Sequence, residues 1–253
     1  MPRFLSIVAL LPFVLTAAAS RCPALEFPGP EPGEASARFE GGRLVMENSV
    51  LSVSWDLGKG NVALSEIADR ISDSSLQGGE AFHVVLEGGE KLGASRFRPT
   101  AEPKLQRLAP VPDAVQACQR QGGWEASLPL VSQDGAIRLL WKATLRDGAN
   151  YLNQQLTLKT DDAGHGIREV ILLDIAAPQA EVVGEVDGSP VVAGGLFFAV
   201  EHPTATARVE QGRAACSARV YRLDGQGDGW SRSAVIGVVP PGQLRRGFLH
   251  YVE

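Results

Sequence analysis

The sequence predicts an all-β fold, a large two-sheet antiparallel β-sandwich, on three observations. Apolar and polar residues alternate through many short runs, Asp-Gly and Gly-Gly pairs punctuate those runs, and no stretch carries a convincing apolar stripe at helical period. The 253 residues include 28 glycines and 16 prolines, which favours short strands joined by turns. With 44% hydrophobic content the chain is too apolar for a disordered one and long enough for one large domain or two small ones. A net charge of −5, from 24 basic and 29 acidic residues, offers no concentrated positive field, so nucleic acid is not an expected partner.

The N-terminus has the layout of a signal peptide over residues 1–19. Arg3 precedes the apolar run from Phe4 to Leu15, and Ala17-Ala18-Ala19 supplies small residues for cleavage. A run of about 12 apolar residues is short for a membrane span, and no later run approaches that length. Export to the periplasm or the extracellular space follows, with no membrane association after cleavage. Cys22 raises lipidation as an alternative, although Arg21 stands where a lipid-attachment motif wants a small residue. Residues 20–42, with Pro23, Pro28, Pro30 and Pro32, read as an extended Pro/Gly-rich linker, leaving 43–253 as the sandwich domain.

The strands follow in order. From Val50 to Asp56, Leu51, Val53 and Trp55 share one face and Ser52, Ser54 and Asp56 the other, the pattern of a half-buried strand. A turn at Gly58–Asn61 returns the chain as Val62–Ile67, and Ala81–Leu86 begins the next group. Pro99–Pro112 holds four prolines and reads as a surface loop. Trp124–Val131, Ala136–Arg146 and Tyr151–Thr160 form a meander whose Asp134-Gly135 and Asp147-Gly148 pairs suit positive-φ hairpin turns. Ile167–Ile175 is apolar enough for burial on both faces. Further strands are expected at Glu181–Val186, Gly195–Glu201, Ala205–Glu210, Ala214–Arg222, Ser233–Val239 and Gly247–Val252, with Asp187-Gly188, Asp224-Gly225 and Asp228-Gly229 as turns. The core should run through Trp124, Leu128, Leu140, Leu156, Leu158, Ile171 and Leu173.

Chemistry is sparse. His83, His165, His202 and His250 stand too far apart for a local metal pair, no Cys-x-x-Cys occurs, and neither a Gly-x-Ser-x-Gly elbow nor a phosphate-binding glycine loop is present. No metal or cofactor is expected, and no catalytic residue can be selected; Glu125, Asp134, Asp161, Asp162 and the other carboxylates fall at turns or on solvent faces. Cys118 and Cys216 either pair after export or stay as buried thiols. One cluster stands apart: the apolar run Gly194–Val200 ends in Glu201-His202-Pro203. Pro203 biases His202 towards an extended conformation, which sets Glu201 and His202 at the strand's exit rim as candidate ligand contacts. Trp55 and Trp230 are secondary candidates, since an indole can stack on a sugar face.

Three stretches carry a resemblance. They are Leu145–Leu152 (Leu-Arg-Asp-Gly-Ala-Asn-Tyr-Leu), Gly188-Ser189-Pro190 with Gly195–Pro203, and Arg246–Glu253, accompanied by Leu51–Trp55 and Leu64-Ser65. Together they resemble the N-terminal β-supersandwich of secreted bacterial α-galactosidase-type glycoside hydrolases, family 36 and relatives similar to family 101. The resemblance runs from about residue 43 to the end. It implies a galactose-mutarotase-like sandwich that precedes a (β/α)₈ barrel, with carbohydrate as the ligand class. In those enzymes the catalytic aspartates belong to the barrel, so none is carried over. The implied role is a carbohydrate-associated domain, non-catalytic by itself, whose barrel is encoded separately or lost. A stand-alone aldose epimerase or a sandwich-only lyase, with Glu201 and His202 as acid and base, is the alternative. Sequencing of the exported protein should find its N-terminus near Ser20; an intact Met1 in that fraction would overturn the leader assignment.

Overall fold

The computed structural model describes residues 26–58, 62–160, 166–220 and 229–252. The expected leader, Cys22, Asp161, Asp162, His165, the tip of the Gly58–Asn61 turn and the Asp224-Gly225 and Asp228 positions lie outside them.

Three antiparallel sheets build two layers. The first sheet is a meander in chain order: β1 (Ser36–Glu40), β2 (Arg43–Glu47), β3 (Leu51–Asp56), β4 (Ala63–Asp69) and β5 (Ser74–Glu80). After β6 (His83–Leu86) and β7 (Lys91–Gly93), the chain crosses to the opposite layer with β8 (Phe97–Pro99), β9 (Lys104–Leu108), β10 (Gly123–Ser132), β11 (Ile137–Arg146) and β12 (Tyr151–Thr160). It returns in β13 (Ile167–Ala176), and β14 (Glu181–Val182), β15 (Val191–Ala193) and β16 (Leu196–Val200) cross again. β17 (Ala205–Glu210), β18 (Arg213–Arg219) and β19 (Trp230–Val238) precede a closing helix, α1 (Leu244–Val252). The nine-stranded sheet runs β14-β15-β16-β19-β12-β11-β10-β8, with β9 also paired to β10, and the third sheet runs β17-β18-β13-β6-β7. The two smaller sheets meet along β5 and β13 and together oppose the large one. The expected two-sheet sandwich is therefore two layers with one of them split.

The meander at the centre keeps the expected order. Gly135 and Gly148 adopt φ of +82° and +75° at the hairpin turns, where a Cβ would strain the backbone. Leu128, Leu156, Leu158 and Leu173 are buried in the inter-layer core with Trp55 and Trp141, whose rings meet edge to face at 5.3 Å. Two expected core residues are only half-buried. Leu140 lies on the outer face of β11, paired with Pro129 and Thr157, and Ile171 precedes a β-bulge that brings Leu172 and Leu173 inward together. Trp124 is likewise half-buried and packs at the core's edge.

Local expectation and structure part company elsewhere. The expected linker contains β1, and Ala35 is buried in the core; its N–H donates to Asp147 Oδ1 at 2.9 Å. Within the proline-rich 99–112 stretch, β9 pairs with β10 from Leu108↔Gly123 to Lys104↔Ser127, because its prolines flank the ladder instead of interrupting it. Only Glu181–Val182 of the expected 181–186 strand is extended in a ladder. The largest difference is at the C-terminus, where the expected strand Gly247–Val252 is helical. Pro240-Pro241-Gly242 turns the chain, with Gly242 at φ +74°, and Leu244, Phe248 and Tyr251 then recur at i, i+4 and i+7 on one face. Alternation over six residues could not distinguish that period from a strand. Consequently Leu249 and Val252 point away from the sheet, while Phe248 and Tyr251 pack on it.

Leu156→Ala should lower stability by about 2–5 kcal/mol in urea unfolding, as for a fully buried leucine, while Ile171→Ala should cost clearly less. Equal costs would show that the β13 face assignment is wrong.

Candidate functional site

Strand β16 divides its side chains between two cores. Leu196, Phe198 and Val200 face the inter-layer core, whereas Phe197 and Ala199 face the outside of the nine-stranded sheet. On that outer face Phe197 lies across Gly237, its partner on β19, where any Cβ would occupy the ring's space. Helix α1 closes over it: Phe248 meets Phe197 edge to face at 5.6 Å, and Tyr251 meets Tyr151 at 4.9 Å. Gly247 lets the helix approach so closely that a Cβ there would overlap the Val239 side chain.

Glu201 sits at the rim of this packed face. Its backbone N–H donates to Ser233 O at 3.1 Å, extending the β16–β19 ladder by one step. Its carboxylate accepts from Ser233 Oγ and from the Tyr251 hydroxyl at 2.5 Å. Burial, and then the charge and hydrogen bond of Glu201, push the Tyr251 hydroxyl far above the usual phenol range; burial and the neighbouring Cys118 do the same for Tyr151. Both phenols are therefore neutral donors. His202 turns elsewhere: its Nδ1 lies 2.7 Å from Thr204 Oγ1 and accepts from Thr204 N–H at 3.1 Å. Partial burial, then the Arg232 charge, hold this imidazole below its ordinary value. Glu201 and His202 are thus sequence neighbours with separate partners, one fastening the helix and the other a turn.

The two tryptophans are core residues. Trp55 is completely buried and donates from Nε1 to Gln154 Oε1 at 3.2 Å, and Trp230 is buried in the inter-layer core with the Arg232 guanidinium 5.5 Å over its ring. Neither has a face open to a sugar. Cys118 and Cys216 are both free thiols. They cannot pair because the nine-stranded sheet lies between them, with Cys216 in the inner core and Cys118 against the outer cluster. Burial pushes the Cys216 thiol up to about 12. Among the described residues no group of three or more His, Cys, Asp or Glu side chains could hold a metal ion, and no helix is long and apolar enough to cross a membrane.

Two arrangements are not apparent from sequence pattern. Beside the helix end, a cleft of about 730 Å³ opens between the segment 26–34, the short 3₁₀ turn Ala117–Arg120, the β11–β12 turn and His250. Its walls include Arg146, Tyr151 and Cys118, and its floor contains Asp147, which accepts two hydrogen bonds from Arg107 at 3.1 and 2.7 Å. The other arrangement centres on Asp174, buried among the apolar residues of β13. It accepts from Lys91 Nζ at 2.9 Å and from Arg213 Nε and NH2 at 2.9 and 2.7 Å, and His83 Nδ1 lies 3.6 Å away without a hydrogen bond. Burial opposes ionisation of Asp174, but the hydrogen bonds and charges of Lys91 and Arg213 outweigh it and hold the carboxyl below its ordinary range. Burial, then the Lys91 charge, lowers His83. An aspartate inside Ile-Leu-Leu-Asp-Ile is the one sequence signal for this cluster, since a buried carboxylate needs cationic partners; those partners come from strands remote in sequence.

No family model and no curated protein matches the sequence. Solved structures do match the fold. The family 36 α-galactosidase AgaB from Geobacillus stearothermophilus aligns with a TM-score of 0.50 at 10% identity, over 80% of this chain and 40% of the enzyme. A bacterial glucoamylase complexed with acarbose aligns over 91% of this chain and 37% of its own, at 11% identity and a TM-score of 0.49. The chain therefore spans about two fifths of these enzymes' length, and what it shares with AgaB is the all-β sandwich.

Acid should destabilise the sandwich in two stages. His83 is held neutral in the fold, so stability is full above its ordinary value of 6.5 and declines as the pH drops below it. Asp174 ionises more readily folded than unfolded, so its contribution is present above its ordinary 3.8 and lost as the pH falls through the lowered folded value. Urea midpoints measured against pH should show both losses, and Asp174→Asn should remove the lower one. At the helix, Gly247→Ala should detach α1 and raise Tyr251 hydrogen–deuterium accessibility while leaving the sandwich core protected; unchanged exchange in α1 would overturn its close seating on Val239.

Proposed function

We propose that this chain is an exported, carbohydrate-associated β-sandwich domain of a glycoside-hydrolase-like protein and is not a catalyst by itself. The observation that carries the reading is the partial overlap with AgaB: four fifths of this chain correspond to two fifths of a glycosidase. The partners of this reading are a saccharide and a catalytic (β/α)₈ barrel. Export rests on the N-terminal leader pattern.

The site chemistry supports a binding role over an epimerase. To open a pyranose ring, a base must reach the anomeric hydroxyl and an acid the ring oxygen of the same sugar, each within hydrogen-bond distance. Glu201 instead engages Ser233 and Tyr251, and His202 engages Thr204. Such carboxylate and imidazole groups position backbone and helix.

Polarimetry on common hexoses and a glycan array together test the reading. Retention of glycans without accelerated mutarotation or bond cleavage is the expected result. Rapid mutarotation that is abolished in Glu201→Gln and His202→Ala variants would establish the epimerase instead, and silence on both assays would reduce the domain to a scaffold.

A further inference from the structure

We propose that the cleft beside the helix end is a binding site for a neutral saccharide of one or two rings. This rests on the carbohydrate-associated reading above and names the place and the charge class of the ligand.

The cleft's volume of about 730 Å³ falls in the range of pockets that enclose small molecules. Its wall from the 26–34 segment is fixed in place. Ser49 N–H donates to Pro32 O at 3.0 Å, Gly148 N–H to Gly33 O at 2.8 Å and Ala35 N–H to Asp147 Oδ1 at 2.9 Å. A wall fastened at three successive points needs little ordering when a ligand arrives.

The charges select the ligand class. Glu26, Glu31 and Glu34 line one wall, and Arg146 stands on another with its NH1 donating to Gln121 O at 2.9 Å. Asp147 adds little net charge because Arg107 holds it in a two-point ion pair. An anionic ligand would meet three carboxylates against the single Arg146 guanidinium and is disfavoured. A neutral polyol suits both walls, because each hydroxyl donates to a carboxylate and accepts from a guanidinium. The tilted Phe27–His250 ring pair, with centroids 5.9 Å apart, supplies apolar surface for the C–H face of a pyranose.

Titration calorimetry on the full chain tests the site with galactose, glucose, melibiose and maltose as neutral probes and galacturonate and galactosamine as charged ones. At least one neutral probe should bind, and Ala117→Trp, which fills the cleft without altering its charges, should weaken it at least tenfold. Glu31→Gln with Glu34→Gln, two exposed positions, should weaken it several-fold with an unchanged thermal midpoint. Binding that survives Ala117→Trp would overturn the cleft while leaving the carbohydrate reading intact. Preference for galacturonate or galactosamine would overturn the neutral class. Silence on the glycan array as well as in calorimetry would overturn the parent reading itself.

Discussion

A buried amide at the centre of the core ties the two layers together. Gln154 projects from the centre of β12 into the core and is almost entirely buried. Its Oε1 accepts from Trp55 of the first sheet, and its Nε2 donates to Ala81 O at 2.9 Å and Leu172 O at 2.7 Å. These groups belong to β3, to the junction between β5 and β6, and to β13, so one side chain touches both halves of the split layer. The bulge in β13 explains why its amide is needed there. The β13–β18 pairing skips Leu172, and a carbonyl released from its ladder inside an apolar core is costly unless something donates to it. Trp55, which donates to this amide from within the core, is completely buried and so has no ring face left for a sugar.

The outer face of the large sheet obeys a second constraint. β16 and β19 present Phe197, Ala199 and Val235 away from the main core, an apolar surface that water would otherwise cover. Helix α1 removes it, and small residues set how closely: Gly237 accommodates the Phe197 ring and Gly247 the Val239 side chain. Glu201 then fastens the helix through Tyr251. The residue that looks most like a functional acid in the sequence is thus engaged in joining two elements, and the cleft forms where this helix, the β11–β12 turn and the 26–34 segment meet.

The cluster of Asp174 with Lys91 and Arg213 ties β7 and β18 to β13. On the first sheet Glu47 pairs with both Arg38 and Arg70. Among the described residues the cleft combines a hydrogen-bonded wall, aromatic surface and opposed charges around open volume.

The sequence by itself determined the all-β class, the central hairpins and their turns. Those rest on period-two alternation and on Asp-Gly pairs, which act over a few neighbouring residues and need no tertiary partner. It also located the rim at Glu201 and His202, since a strand that changes from apolar to charged must end near solvent. The partners of those two residues were not legible there, because Tyr251, Ser233 and Thr204 reach them only through the fold. Tertiary structure alone decided that Leu244–Val252 is a helix, for six residues fit either period until Phe197 and Val239 offer a surface to pack on. It decided that Trp55 and Trp230 are core, because aromatic content on a strand does not say which of its two faces is covered. And it decided that β1 and β9 are strands, since short segments flanked by proline become strands only when a neighbouring ladder receives their hydrogen bonds.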